Sequence, residues 1–183
     1  MEVLPQLLLN GIVIGSYYVL IALGLSIIFG VLGIAHFAHG SVVMLAGYIG
    51  YIVTTNYGIN IFLAMLISMA FATLVGVLLE RFVYRPVMDA PPINSFIIAL
   101  ALMLIIDNIA TIIFGPDQVA IRTATSSVVN FAGLSISSMR INLLITSVIL
   151  VGLLYIFMKY SKTGKAIRAV SQNREAAQIV GIN

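Results

Sequence analysis

The 77 residues from 3 to 79 contain no Asp, Glu, Lys or Arg. As one helix, rising about 1.5 Å per residue, such a run would be about 115 Å long. A bilayer hydrocarbon core is about 30 Å thick, so the run must fold back through it about three times. Composition over the whole chain points the same way. Of its 183 residues 61% are apolar and 8% charged, against roughly 45–50% and about 25% in soluble domains. Disorder needs the opposite balance. The apolar stretches are continuous, as in residues 97–106, and do not alternate as barrel strands do. The expected fold class is all-α, a polytopic transmembrane helical bundle.

Glycine, proline and polar clusters divide the chain into about five expected spans, residues 7–29, 40–55, 61–79, 93–114 and 141–158. Residues 115–140 form a more polar segment, with a hairpin or a slack loop expected around Ser127-Val128-Val129, a turn at 130–133, and Leu134-Ser135-Ile136. Residues 159–183 are soluble in character. Cytoplasmic loops carry the excess of Lys and Arg. With five spans, Arg81, Arg85, Lys159, Lys162, Lys165, Arg168 and Arg174 share one side, and only Arg122 and Arg140 the other. That places the tail in the cytoplasm and the N-terminus outside. No basic stretch precedes the first apolar run, so no cleaved signal peptide is expected. Nucleic acid is excluded as a partner because there is no solvated basic face. With no cysteine, thiol chemistry is excluded too.

Residues 30–41 place three glycines (Gly30, Gly33, Gly40) and two histidines inside the charge-free run. Glycine lets the backbone leave helical geometry. Irregular backbone at membrane depth is tolerated only inside protein or beside a watery cavity. A broken helix near 30–40 is therefore expected. Gly40 and Ser41 would open a helix whose N-terminus, with His39, faces a translocation path. The alternative is that His36 and His39 hydrogen-bond to neighbouring backbone and hold the break together. No carboxylate stands near them in sequence to complete a metal site. No activated-nucleophile pattern surrounds Ser41 or Ser26. No catalytic residue, metal or cofactor is expected.

Gly11 and Gly15, followed by Ser16, make a small-xxx-small pattern suited to close helix approach, and Gly47 and Gly50 are expected to serve the second span likewise. Asp107-Asn108 lies about 10 Å inside the fourth span, where an ionisable group should face a bundle interior or cavity; the pair is expected to line the translocation path, or else to hydrogen-bond a neighbouring helix. In the tail, residues 165–169 read as a helical continuation of the fifth span. Residues 173–181 read as a short helix capped by Asn173, favoured by Glu175 in its first turn and closed by Gly181. Its apolar face of Ala176, Ala177 and Val180 is too small to stand alone and calls for a partner groove. Binding of the basic tail to membrane lipid is the alternative.

Together these pieces resemble the membrane permease of ATP-binding-cassette importers for branched-chain amino acids, from about residue 7 to 183. The resemblance rests on four groups in order. They are Asn10-Gly11 with Gly15-Ser16 and residues 20–24; Phe37-Ala38-His39-Gly40; Glu80-Arg81 with Tyr84-Arg85-Pro86; and Gly164, Arg168-Ala169, Glu175-Ala176-Ala177 and Gly181-Ile182-Asn183. It implies that residues 159–183 are the cytoplasmic coupling segment, with Gly164, Arg168, Glu175, Ala176, Ala177 and Gly181 engaging an ATPase. It also implies ATP-binding cassette subunits, a second permease subunit and an external solute-binding protein as partners, in the cell inner membrane. His36 stands where the family usually has Asn, and Asp107-Asn108 where Gln-Asn is common. Family members continue with further spans beyond the place of Asn183. The competing function is a stand-alone channel or secondary transporter, for whose ion coupling Asp107 and the two histidines are the available groups.

Overall fold

The computed structural model describes residues 3–34, 36–88, 90–117, 119, 128–131 and 134–182. Arg122, Ser127, Ala132, Gly133 and Asn183 lie outside the described residues. In chain order the elements are α1 (Val3–Leu32), α2 (His39–Tyr57), α3 (Ile61–Leu79), α4 (Pro92–Phe114), β1 (Val128–Phe131), β2 (Leu134–Ser137), α5 (Ser138–Tyr160), α6 (Lys162–Gln172) and α7 (Arg174–Ile179). α3 runs on without a gap into a π-helical turn, Glu80–Tyr84, and a 3₁₀ turn, Arg85–Val87. Four helices among the described residues are long and apolar enough to cross a membrane: α1, α3 with its two turns, α4 and α5. The chain is therefore a multi-pass, all-α membrane protein. α2 is about 28 Å long but more polar, carrying Ser41, Thr54, Thr55 and Asn56.

Two compact units emerge, one of Met1–Gly33 with Thr123–Asn183, the other of Ile34–Arg122. In the first, α1 packs on α5 and α6, α6 on α5, and α7 on α6. β1 and β2 pair antiparallel from Val128 opposite Ser137 to Phe131 opposite Leu134, so a hairpin stands where a hairpin or a loop was expected. β2 packs beside the start of α1. Arg140, in the first turn of α5, donates a 2.8 Å hydrogen bond to the Asn10 side chain of α1.

In the second unit α2 packs on α3 and α4. Lipid tails are as apolar as leucine, so helices gain by fitting closely rather than by hiding apolar surface. Along the three long helices the buried residues are accordingly small, Ser41 and Gly50 on α2, Ala64 on α3, and Ser95, Ala99 and Ala110 on α4. Ser95 and Ala99 are one turn apart on α4, and Ala110 follows about three turns later on the same face. The glycines do less of this work than the sequence suggested. A methyl group added at Gly11, Gly15 or Gly47 meets no described atom within 4 Å, whereas one at Gly50 would lie 3.0 Å from Ser68 Oγ on α3.

The break is shorter than expected. α1 continues through Gly30 and ends at Leu32, and Gly40 is already helical. The backbone departs from helix at Gly33, whose φ of 67° is left-handed. Its N–H bonds the Phe29 carbonyl at 2.9 Å. Only a residue without Cβ adopts that conformation freely.

Candidate functional site

Between α1 and α2 the described residues Gly33, Ile34 and His36–Ala38 belong to no helix. Ile34, His36 and Ala38 are buried while Gly33 and Phe37 are exposed. The segment is a packed strip of backbone, not a turn in water. Two aromatic contacts pin it. His36 Nδ1 and the Tyr84 hydroxyl share a 2.5 Å hydrogen bond, with the rings edge-on at 5.2 Å. Phe37 meets Phe96 of α4 edge-on at 5.0 Å. His39 N–H closes a turn onto the His36 carbonyl at 3.1 Å, and α2 begins there. His36 thus holds the break through a distant side chain and through its own carbonyl.

Three of the five expected pathway residues, His39, Gly40 and Ser41, fall at that junction, and Asp107 and Asn108 lie on α4. His39 is half-buried and its ring lies 6.0 Å from that of His36. Gly40 is exposed, and a Cβ there meets no described atom within 4 Å. Ser41 is buried. The three therefore share the first turn of α2 but present different surfaces. On α4, Asp107 is half-buried beside the packed face, and its backbone carbonyl accepts from Thr111 Oγ1 at 2.8 Å. Asn108 is exposed and donates to the Leu104 carbonyl of its own helix at 2.7 Å. Among the described residues Asn108 makes no hydrogen bond to a neighbouring helix. Its amide is satisfied locally instead.

The tail is built from local signals. Ser161, extended at ψ 152°, stops α5 and caps α6, its hydroxyl accepting from Gly164 N–H at 2.8 Å. The expected helical continuation is therefore a separate helix set off by one residue. Gly164 is buried where α6 folds back on α5. A Cβ there would press on the Phe157 carbonyl oxygen and lie 2.6 Å from Met158 Cα. Lys162, Lys165 and Arg168 stand exposed, while Ala166, Ile167, Ala169 and Val170 are half-buried. Arg168 reaches back to the Lys159 carbonyl at 3.5 Å, a cation at the negative end of α5. Lys159 itself lies over the rings of Tyr155 and Tyr160, at 5.4 and 5.5 Å. Such tyrosines sit where a helix leaves the membrane.

Asn173 caps α7 as expected, its side chain accepting from Ala176 N–H at 2.9 Å, and Glu175 lies in the first turn. Gly181 ends the helix at φ 81°, and Ile182 N–H bonds the Ala177 carbonyl at 3.0 Å. Ala177 is buried, but Ala176 is exposed, and Ile179 and Val180 are 86% and 73% exposed. The outward apolar face is therefore Ile179 with Val180, of which only Val180 belongs to the expected face.

Among the described residues no group of three His, Cys, Asp or Glu could hold a metal ion. The sequence matches the family described as branched-chain amino acid transport system, permease component, over residues 7–183. It is 29% identical to the high-affinity branched-chain amino acid transport system permease protein LivH of Salmonella typhimurium and to that of Escherichia coli. It is also 29% identical to the corresponding protein BraD of Pseudomonas aeruginosa. Each match covers 97% of this chain and 62% of the relative. These relatives are transport permeases, not enzymes. No solved structure matches the chain at a significant level. With nearly every residue inside the match, the chain belongs to the permease component family of branched-chain amino acid transport systems.

Proposed function

We propose that the chain is the permease subunit of an ATP-driven importer in the cell inner membrane, forming part of the path for branched-chain amino acids. The observation that carries this reading is α7. It is a six-residue helix with its own cap, one buried alanine, and Ile179 and Val180 turned outward. A helix so short gains too little from its own packing to persist without a partner. An apolar pair on its open side is what a protein groove binds. In this reading the groove belongs to an ATP-binding cassette subunit. Its cycle of ATP binding and hydrolysis moves α7 and α6, and the tight Gly164 joint passes that movement to α5.

Seven of the nine basic residues fall on one side of a five-span chain, which supports a cytoplasmic tail. A second permease subunit, identical or related, and an external solute-binding protein complete the importer. His39, Gly40 and Ser41 line the path at the start of α2. Asp107 on α4 is a further lining group, with Asn108 on the exposed side of that helix.

Ile179→Asp and Val180→Asp test the coupling. Both positions are exposed, so the chain keeps its fold. In the complete importer each change is expected to lower copurified ATPase subunit at least about tenfold. Undiminished ATPase with both changes together overturns the reading.

A further inference from the structure

The Glu80-Arg81 and Tyr84-Arg85-Pro86 group neither lines the proposed path nor couples to the ATPase, yet the backbone there is unusual. Ala64 marks the buried face of α3. At about 3.6 residues per turn, an unbroken α-helix would bring Phe82 back to that face after about five turns, and would set Tyr84 about 200° away from it. The structure shows the reverse, with Phe82 69% exposed and Tyr84 4%. The π-helical turn Glu80–Tyr84 contributes to the exchange. Arg85 N–H bonds the Glu80 carbonyl five residues back. This wider ring takes in an extra residue and sets back the register of the helix beyond it by about 100°, half of the difference. Tyr84 lies there against His36, 48 residues away in sequence.

We propose that Tyr84 is a positioning residue of the translocation path. Buried within the π-helical turn, it holds His36 and so fixes the first turn of α2, where Gly40 and Ser41 lie. The role of Gly40 and Ser41 rests on the proposed permease function; the clamp itself does not. The bond is made by Nδ1, which is attached to Cγ. An Asn side chain carries an oxygen or a nitrogen at that same branch point and can replace it. His36→Asn should therefore preserve the clamp, and His36→Ala should release it.

The chain has no cysteine, so Ser41→Cys gives a single buried thiol as a reporter. In membranes holding the complete importer, Tyr84→Phe and His36→Ala are each expected to speed maleimide labelling of that thiol about three- to tenfold. Combined, they should do no more than either alone. His36→Asn should label at the parent rate. In the same importer without the reporter, Tyr84→Phe and His36→Ala should lower the maximal rate of leucine uptake by a similar factor, with KM within about twofold. Parent-rate labelling in Tyr84→Phe overturns the proposal, as do equal rates for His36→Asn and His36→Ala. The second comparison decides the matter if Tyr84→Phe does not accumulate. The expected labelling pattern in an importer that takes up no leucine upholds the clamp and removes the solute reading instead.

Discussion

Gly164 and Gly47 are both helical glycines in this chain, yet their surroundings make opposite demands. At Gly164 the neighbour is backbone, the Phe157 carbonyl and the Cα and carbonyl of Met158, which cannot swing aside as a side chain can. Gly164→Ala is expected to destabilise the α5–α6 joint by about 1–3 kcal/mol. A lower thermal midpoint of the purified protein in detergent is the readout. At Gly47 nothing described lies within 4 Å of an added methyl. Gly47→Ala is therefore expected to be neutral, or to stabilise by up to about 1 kcal/mol through helix propensity, with an unchanged or raised midpoint in the same assay. Both glycines look alike in sequence, because what separates them is the fold of the segment packed against each. The same holds for Asn108, whose amide donates to the Leu104 carbonyl of its own helix, a partner its place in the sequence does not single out.

Elements set by local chemistry are legible in the sequence. α7 follows from Asn173 as cap, Glu175 in the first turn and Gly181 as stop, and all three stand where those roles require. Asn173→Ala is expected to remove about 1 kcal/mol from α7. Hydrogen exchange at the Ala176 and Ala177 amides should then speed about fivefold, with the α5 amides unchanged. The break after α1 is legible in outline, since glycines and histidines crowd an uncharged run. Its placement at Gly33 rather than across residues 30–40 is not, because Gly30 and Gly40 are tolerated inside helices once neighbouring turns are formed. The π-helical turn leaves no mark in the sequence. Residues 80–84 read as the end of a helix by every local measure. The contact of Tyr84 with His36 across the unit, a tertiary feature, accompanies the set-back there. The helix contacts are legible in part for a related reason. Gly50 is buried against α3 as expected of a packing glycine, whereas Ala64, Ala99, Ala110 and Ser95, also buried, satisfy the same need for small side chains without standing out in the sequence.

For the molecule as a whole, the charge-free run and the family match agree on a membrane permease, and the chain spans 62% of the length of the relatives it matches. Its two units carry different work under the proposed function. Ile34–Arg122 holds the clamped break and the start of α2, while Met1–Gly33 with Thr123–Asn183 holds the hairpin and the tail that a motor subunit would grip. That division requires the tail to lie in the cytoplasm and α7 to be covered there. Labelling of Val180→Cys by a membrane-impermeant maleimide measures this directly, because the chain has no other cysteine and Val180 is open on the chain itself. A motor-held cytoplasmic tail predicts no labelling in intact cells, labelling once the cytoplasmic face is opened, and slower labelling when the ATPase subunit is bound. Labelling of intact cells from outside, or a rate indifferent to the ATPase, contradicts it.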